Sequence, residues 1–90
     1  MHAVLVRVTV NDPEQATQKL RDEIVPRVRQ APGLVAGYWV TIDDNQGRSI
    51  VVFESEEAAS TVAQMIESQM GADEGVDLQG TEVREVVANA

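Results

Sequence analysis

The chain contains no cysteine, one histidine, and one residue each of tryptophan, tyrosine and phenylalanine. The missing thiols exclude disulfides, a thiolate nucleophile, a thiolate zinc site and cluster ligation together. Stability must then come from packing and from oligomerisation. A serine triad would need His2 as its base, and no nucleophile-elbow sequence accompanies it. Cations are scarce as well, with seven Lys and Arg against fifteen Asp and Glu and a net charge of −8. A duplex binder needs clustered cations to displace phosphate counterions. Here they are scattered at Arg7, Lys19, Arg21, Arg27, Arg29, Arg48 and Arg84, and Asp22 and Glu23 interrupt the one local concentration. Nucleic acid is therefore not an expected partner. No apolar run approaches the ~20 residues that span a bilayer. The N-terminus begins as a strand, without the charged and apolar regions of a signal peptide, so the expectation is a soluble cytoplasmic protein without a membrane partner.

What is present is a hydrophobic content of 43% in 90 residues, too apolar for disorder. Domains this small bury roughly 60–65% of their unfolded surface, enough for one modest core. We read residues 1–90 as a single domain, in which a ligand-sized site would be completed by a second copy.

Residues 2–10 place Val4, Val6, Val8 and Val10 on one face and Ala3, Leu5, Arg7 and Thr9 on the other. Period two with β-branched residues predicts a strand whose valine face meets the core. Asn11-Asp12-Pro13 opens a helix: Asp12 caps, Pro13 suits the first position, and Gln15 completes a capping box. Ala16, Leu20 and Ile24 form its apolar stripe, extended by Val25 and Val28, and Pro26 predicts a kink or an end. A second strand is expected over 34–42, with Leu34, Ala36, Tyr38, Val40 and Ile42 on one face and Val35, Gly37, Trp39 and Thr41 on the other. Residues 43–47 form a polar connection of hairpin length, and 48–54 a third strand. Ser55-Glu56-Glu57 caps a second helix with the stripe Ala59, Val62, Ala63, Ile66 and Met70. After an acidic loop from Gly71 to Asp77, residues 78–88 read as a last strand.

The order strand, helix, strand, strand, helix, strand is that of an α+β ferredoxin-like βαββαβ sandwich, a four-stranded antiparallel sheet with two helices on one face. The opposite face would carry Leu5, Arg7 and much of an aromatic strand, too apolar to stand in water. Pairing two such sheets face to face buries it, so a homodimer is expected.

Candidate chemistry is sparse. His2 has an imidazole of near-neutral pKa, at a position where a strand end or an edge contact explains it equally. Asp43-Asp44-Asn45 and Asp73-Glu74 with Asp77 are rich in oxygen ligands but lack the twelve-residue spacing of a calcium loop, so no metal is expected. Tyr38, Trp39 and Phe53 could stack a flat aromatic ligand or serve as core and interface residues. Since Tyr38 and Trp39 point to opposite faces, at most one lines a given cavity. Arg7, on an otherwise apolar face, could clamp a carboxylate or enolate-like oxygen, or pair with Glu54, Glu82 or Glu85.

The strand at 2–10 running into Asn11-Asp12-Pro13, the passage Pro26-Arg27-Val28 through Ala31-Pro32-Gly33-Leu34 to Gly37-Tyr38-Trp39, and the strand at 49–53 before Ser55-Glu56-Glu57 together resemble the dimeric α/β-barrel superfamily that contains antibiotic-biosynthesis-type monooxygenases. The resemblance covers nearly the whole chain. It implies a homodimer with a ligand-sized cavity between helices and sheet in each protomer, and by itself no activity. Cofactor-free oxygenases of that superfamily hold aromatic substrates with asparagine, tryptophan, tyrosine and arginine, for which Arg7, Asn11, Tyr38 and Trp39 are the equivalents by type. Its haem-degrading members use a helical histidine, which His2 at a strand start does not supply, and no cofactor is expected. Two readings follow. One is a cofactor-independent enzyme oxidising an aromatic small molecule, with Arg7, Asn11 and Trp39 as candidate catalytic residues and Arg7, Tyr38, Trp39 and Phe53 binding the ligand. The other is a non-catalytic dimeric module that binds a small molecule or merely assembles. A weaker third is association with another protein through an exposed strand edge, by way of the segment 80–90.

Overall fold

A computed structural model describes residues 1–43, 45–70 and 76–90, leaving aside the side chains of 69 and 70. Asp44, the Met70 side chain and the acidic residues Asp73 and Glu74 singled out above lie outside the described residues. The elements in chain order are β1 (His2–Val10), α1 (Pro13–Lys19), a π turn (Leu20–Ile24), α2 (Val25–Arg29), β2 (Leu34–Asp43), β3 (Gln46–Phe53), α3 (Glu56–Met70) and β4 (Val76–Glu85). The four strands form one antiparallel sheet in the order β2-β3-β1-β4. This is the split βαββαβ arrangement, with helices over one face and the other face uncovered.

The helix starts follow their caps. Asp12 Oδ1 accepts the Gln15 backbone N–H at 3.2 Å, with Pro13 in the first turn of α1. Ser55 Oγ accepts the Ala58 N–H at 3.1 Å and opens α3. At Pro26 the first helical stretch ends by giving way directly to the next, without an intervening loop. The Val25 N–H instead reaches back five residues to the Leu20 carbonyl. That wider turn closes one helical stretch and lets Pro26 sit in the first turn of the next, where no N–H is required of it.

Two strand assignments shift. The β2–β3 register slips between Leu34 and Ala36, so Val35 bulges outward and Leu34 turns in to pack against the core beside the strand's helix-side residues. Leu34 therefore does not share a face with Tyr38, as strict alternation predicted. The strands also run closer together than expected: β2 ends at Asp43 and β3 begins at Gln46, and β4 spans Val76–Glu85 rather than 78–88.

The core lies between β1, β3 and the two helical layers. Val4, Val6, Val28, Val51, Phe53, Ala59, Val62, Ala63 and Ile66 form one cluster, in which Phe53 is fully buried. Both the β1 valine face and the α3 stripe are thus used as the periodicity predicts. Gly33, after α2, has φ +81°, and its carbonyl accepts the Glu54 N–H at 2.8 Å, tying the entry of β2 to the exit of β3.

Two stability predictions follow. Phe53→Ala removes the largest fully buried side chain and should cost about 3–5 kcal/mol, read as a lowered urea midpoint. Gly33→Ala forces a Cβ into left-handed backbone 3.3 Å from Ala58 Cβ, and should cost about 1–2 kcal/mol in the same assay.

Candidate functional site

The site begins with a taper. On the helix-facing side of β3 the residues run Phe53, Val51, Ser49, Gly47, shrinking from a full ring to no side chain. Where the residues are large the core closes against α3. Where they are small the covering helix cannot reach the sheet, and a cavity of about 370 Å³ remains. Its floor is Val6, Val8, Val10, Ser49 and Val51, and its roof is Ala16, Leu20, Ile24 and Val28. The size falls within the roughly 300–1,000 Å³ of small-molecule pockets.

Trp39 forms the side wall. Its indole folds back along β2 over Gly37, where a Cβ would stand 3.1 and 3.2 Å from two carbons of the six-membered ring. Gly37 is what allows the indole to lie there, since residues two apart share a face. Ser49 is the buried polar residue of the described core, and Thr17 and Thr41 also line the cavity. Asp43 is the one acid in the lining among the described residues. It is exposed, and its Oδ1 accepts the Asn45 N–H at 2.9 Å. The space is largely apolar, with Ser49 its buried hydroxyl, Thr17 and Thr41 exposed, and Lys19, Arg21, Asp43 and Arg48 also in its lining.

The other sequence-predicted residues do not join Trp39. Tyr38 stands on the opposite face of the sheet and is 65% exposed. Phe53 belongs to the core beneath the helices and is 0% exposed, so no ligand reaches its ring there. Asn11 is exposed, and its Nδ2 donates to Asp77 Oδ2 at 3.1 Å, outside the cavity lining. Arg7 is exposed on the uncovered sheet face, where its guanidinium lies over Gly80. Among the described residues it has no ion pair with Glu54, Glu82 or Glu85, because Glu82 Oε1 pairs instead with Arg84 at 3.3 Å. The β1–β4 register, unbroken from His2 to Arg7, sets Gly80 opposite Arg7 and leaves no side chain in its way.

His2 lies at the far end of β1 from the cavity, its Nε2 3.4 Å from Glu56 Oε2 and its Nδ1 buried without a hydrogen-bond partner. A histidine-held haem does not fit this arrangement, since the chain's one imidazole is outside the cavity. Among the described residues no three His, Asp or Glu side chains converge to hold a metal ion. None of the described helices is long and apolar enough to cross a membrane. The sequence reading missed Ser49, Thr41 and the aliphatic roof as site residues, although the falling side-chain size along 53, 51, 49 and 47 was there to be read.

No protein-family model matches the chain, and no curated protein matches it either. Solved structures do. A dimeric ferredoxin-like protein from an uncultured marine organism superimposes with a TM-score of 0.66 at 11% identity, over 100% of this chain and 98% of that one. A monooxygenase from Streptomyces coelicolor, ActVA-Orf6 in complex with nanaomycin D, gives 0.58 at 15% identity over 99% and 92%. The haem-degrader MhuD of Mycobacterium tuberculosis, with two haems bound, gives 0.51 at 20% identity over 97% and 98%. At such identities the likeness is one of fold: the chain has the ferredoxin-like α+β fold that dimeric ferredoxin-like proteins and small monooxygenases share.

Proposed function

We propose that the chain binds a flat, largely apolar small molecule in the cavity between helix and sheet, and that two copies associate through their uncovered sheet faces. The observation that carries the first part is the cavity: about 370 Å³, walled by valine, leucine and isoleucine with one indole along its side. An aromatic ring system fits that volume and stacks on Trp39, while Ser49, Thr17 and Thr41 offer hydrogen bonds to one or two oxygens.

Binding is better supported than turnover. General-base catalysis needs a proton acceptor within hydrogen-bond reach of the substrate. Among the described residues the lining contains no imidazole, and its one carboxylate, Asp43, is exposed. The second reading, cofactor-independent oxygenation of an aromatic ligand, draws support from the fold shared with the Streptomyces monooxygenase. Under it Trp39 orients the ring and Asp43 is, among the described lining residues, the group able to accept a phenolic proton.

For association, Tyr38, Val40, Ile42 and Ile50 are 65%, 49%, 57% and 45% exposed on neighbouring strands of one face. A contiguous apolar face of this kind is costly in water and is relieved by a second identical face.

The ligand reading is tested with Trp39, the chain's one tryptophan, as reporter. The neutral quencher 1,4-naphthoquinone, to which a chain without cysteine offers no thiol, should quench its emission saturably. Ser49→Leu fills the floor and Gly37→Val displaces the indole, and each should abolish saturation. A strictly collisional response in the unmodified chain would end the proposal. Oxygen uptake above the autoxidation rate with 1,4-dihydroxynaphthalene would decide for the second reading. Sedimentation equilibrium tests the assembly: a dimer is expected at micromolar concentration and a monomer for Ile50→Glu, whereas a monomeric unmodified chain contradicts it.

A further inference from the structure

On the uncovered sheet face, Arg7 of β1 and Arg48 of β3 stand directly opposite one another in the ladder. Like charges at facing positions of adjacent strands repel. Neither is paired with a carboxylate among the described residues. Arg48 donates to the Gly47 carbonyl at 2.8 Å and to Gln46 Oε1 at 3.2 Å, both uncharged acceptors. Arg7 lies over Gly80, and no described side chain bonds to its guanidinium. The chain has more than twice as many acids as bases, yet it leaves these two cations side by side without a carboxylate. Glu82, on the same face and two residues along β4 from Gly80, pairs with Arg84 instead.

The cations are embedded in the apolar face formed by Tyr38, Val40, Ile42 and Ile50. Covering that face with an apolar or a cationic surface would strand both guanidiniums without partners, a cost that disfavours such an occupant. A second copy supplies what is missing. In an isologous interface each contact is made twice, residue i against j and j against i, so acids on one edge of the face meet cations at its centre. Resting on the face-to-face association proposed above, we infer that Arg7 and Arg48 together form a carboxylate socket for Glu82 of the second copy, so that the assembly is held by two symmetric ionic contacts within an apolar surround. Glu82 is free to make that exchange, since its pairing with Arg84 is exposed and contributes little.

The test is charge reversal and exchange, read as dimer dissociation by sedimentation. Arg7→Glu, Arg48→Glu and Glu82→Arg should each weaken the dimer by at least about tenfold. An equimolar mixture of the Arg7→Glu/Arg48→Glu double variant and the Glu82→Arg chain should recover dimer, because both contacts are then between opposite charges. Raising salt from 0.05 to 0.5 M should weaken the unmodified dimer, as ionic contacts are screened. Circular dichroism checks that each variant is folded, and the salt series on the unmodified chain stands where a variant is not. A dimer indifferent to all three reversals and to salt would overturn the socket while leaving the association intact. Reversals that weaken the dimer without recovery on mixing would overturn Glu82 as its occupant. A monomeric unmodified chain would remove the association and the socket together.

Discussion

One sheet has two faces, and the two helical layers of this chain can cover only one of them. The alternation of β1 and β3 decides the rest. Val4, Val6, Val51 and Phe53 go under the helices, while Leu5, Arg7, Arg48 and Ile50 go to the other side. Helices on one face of an antiparallel sheet are the ordinary α+β solution, and the opposite face is ordinarily polar. Here it is not, with Tyr38, Val40, Ile42 and Ile50 left exposed. The face carries too much hydrocarbon for solvent and too much like charge for a purely apolar neighbour. Those two facts together narrow what can sit on it more than either does alone.

The cavity has an equally simple origin. The roof helix is held at one end by Val28, which is buried, whereas α1 and the π turn contain no buried residue. Beneath that loosely held stretch the floor steps down through Ser49 to Gly47. A well-packed protein fills such a space with larger side chains. This chain keeps it open on both sides at once, with small residues below and a roof of Ala16, Leu20 and Ile24 above. The π turn contributes to that roof. Residues four apart drift by about 40° around a helix of 3.6 residues per turn, so a stripe at 16, 20, 24 and 28 would wind away from the sheet. A widened turn in its middle takes back part of that drift and keeps all four residues over the cavity.

Much of this was legible in the sequence, and the misses have physical causes. The β1 valines, the Asp12 and Ser55 caps and the α3 stripe were readable because their signals are local and periodic. The element order then led to the fold. The opposition of Tyr38 and Trp39 was readable too, but which of them faced inward was not, since that depends on how β2 registers against β3. Leu34 was misassigned because a bulge breaks period two and leaves no mark in composition. Phe53 was offered as a ligand-stacking ring because chemistry alone does not separate a core aromatic from a site aromatic. Its position between Val51 and α3 does. Arg7 is not paired with a glutamate because the ladder sets Gly80 opposite it, a register that only the folded sheet contains. The four-residue spacing of the first helix, read as an ordinary amphipathic stripe, gave no sign of the π turn at Leu20–Ile24.

The two faces are not independent of each other, and β2 is where they meet. It is an edge strand, paired only with β3, and consecutive residues on it serve different purposes: Trp39 walls the cavity and Tyr38 stands on the exposed face. An edge strand held on one side only is the part of a sheet most easily displaced. Packing a second copy against Tyr38, Val40 and Ile42 would immobilise β2 from outside and with it the indole on its inner side. A ligand stacked on Trp39 would order the same strand from within. Since each event removes freedom that the other must otherwise remove, the two favour one another. That mutual support requires no movement of the backbone, only that a single strand carries the wall of one site and the surface of the other.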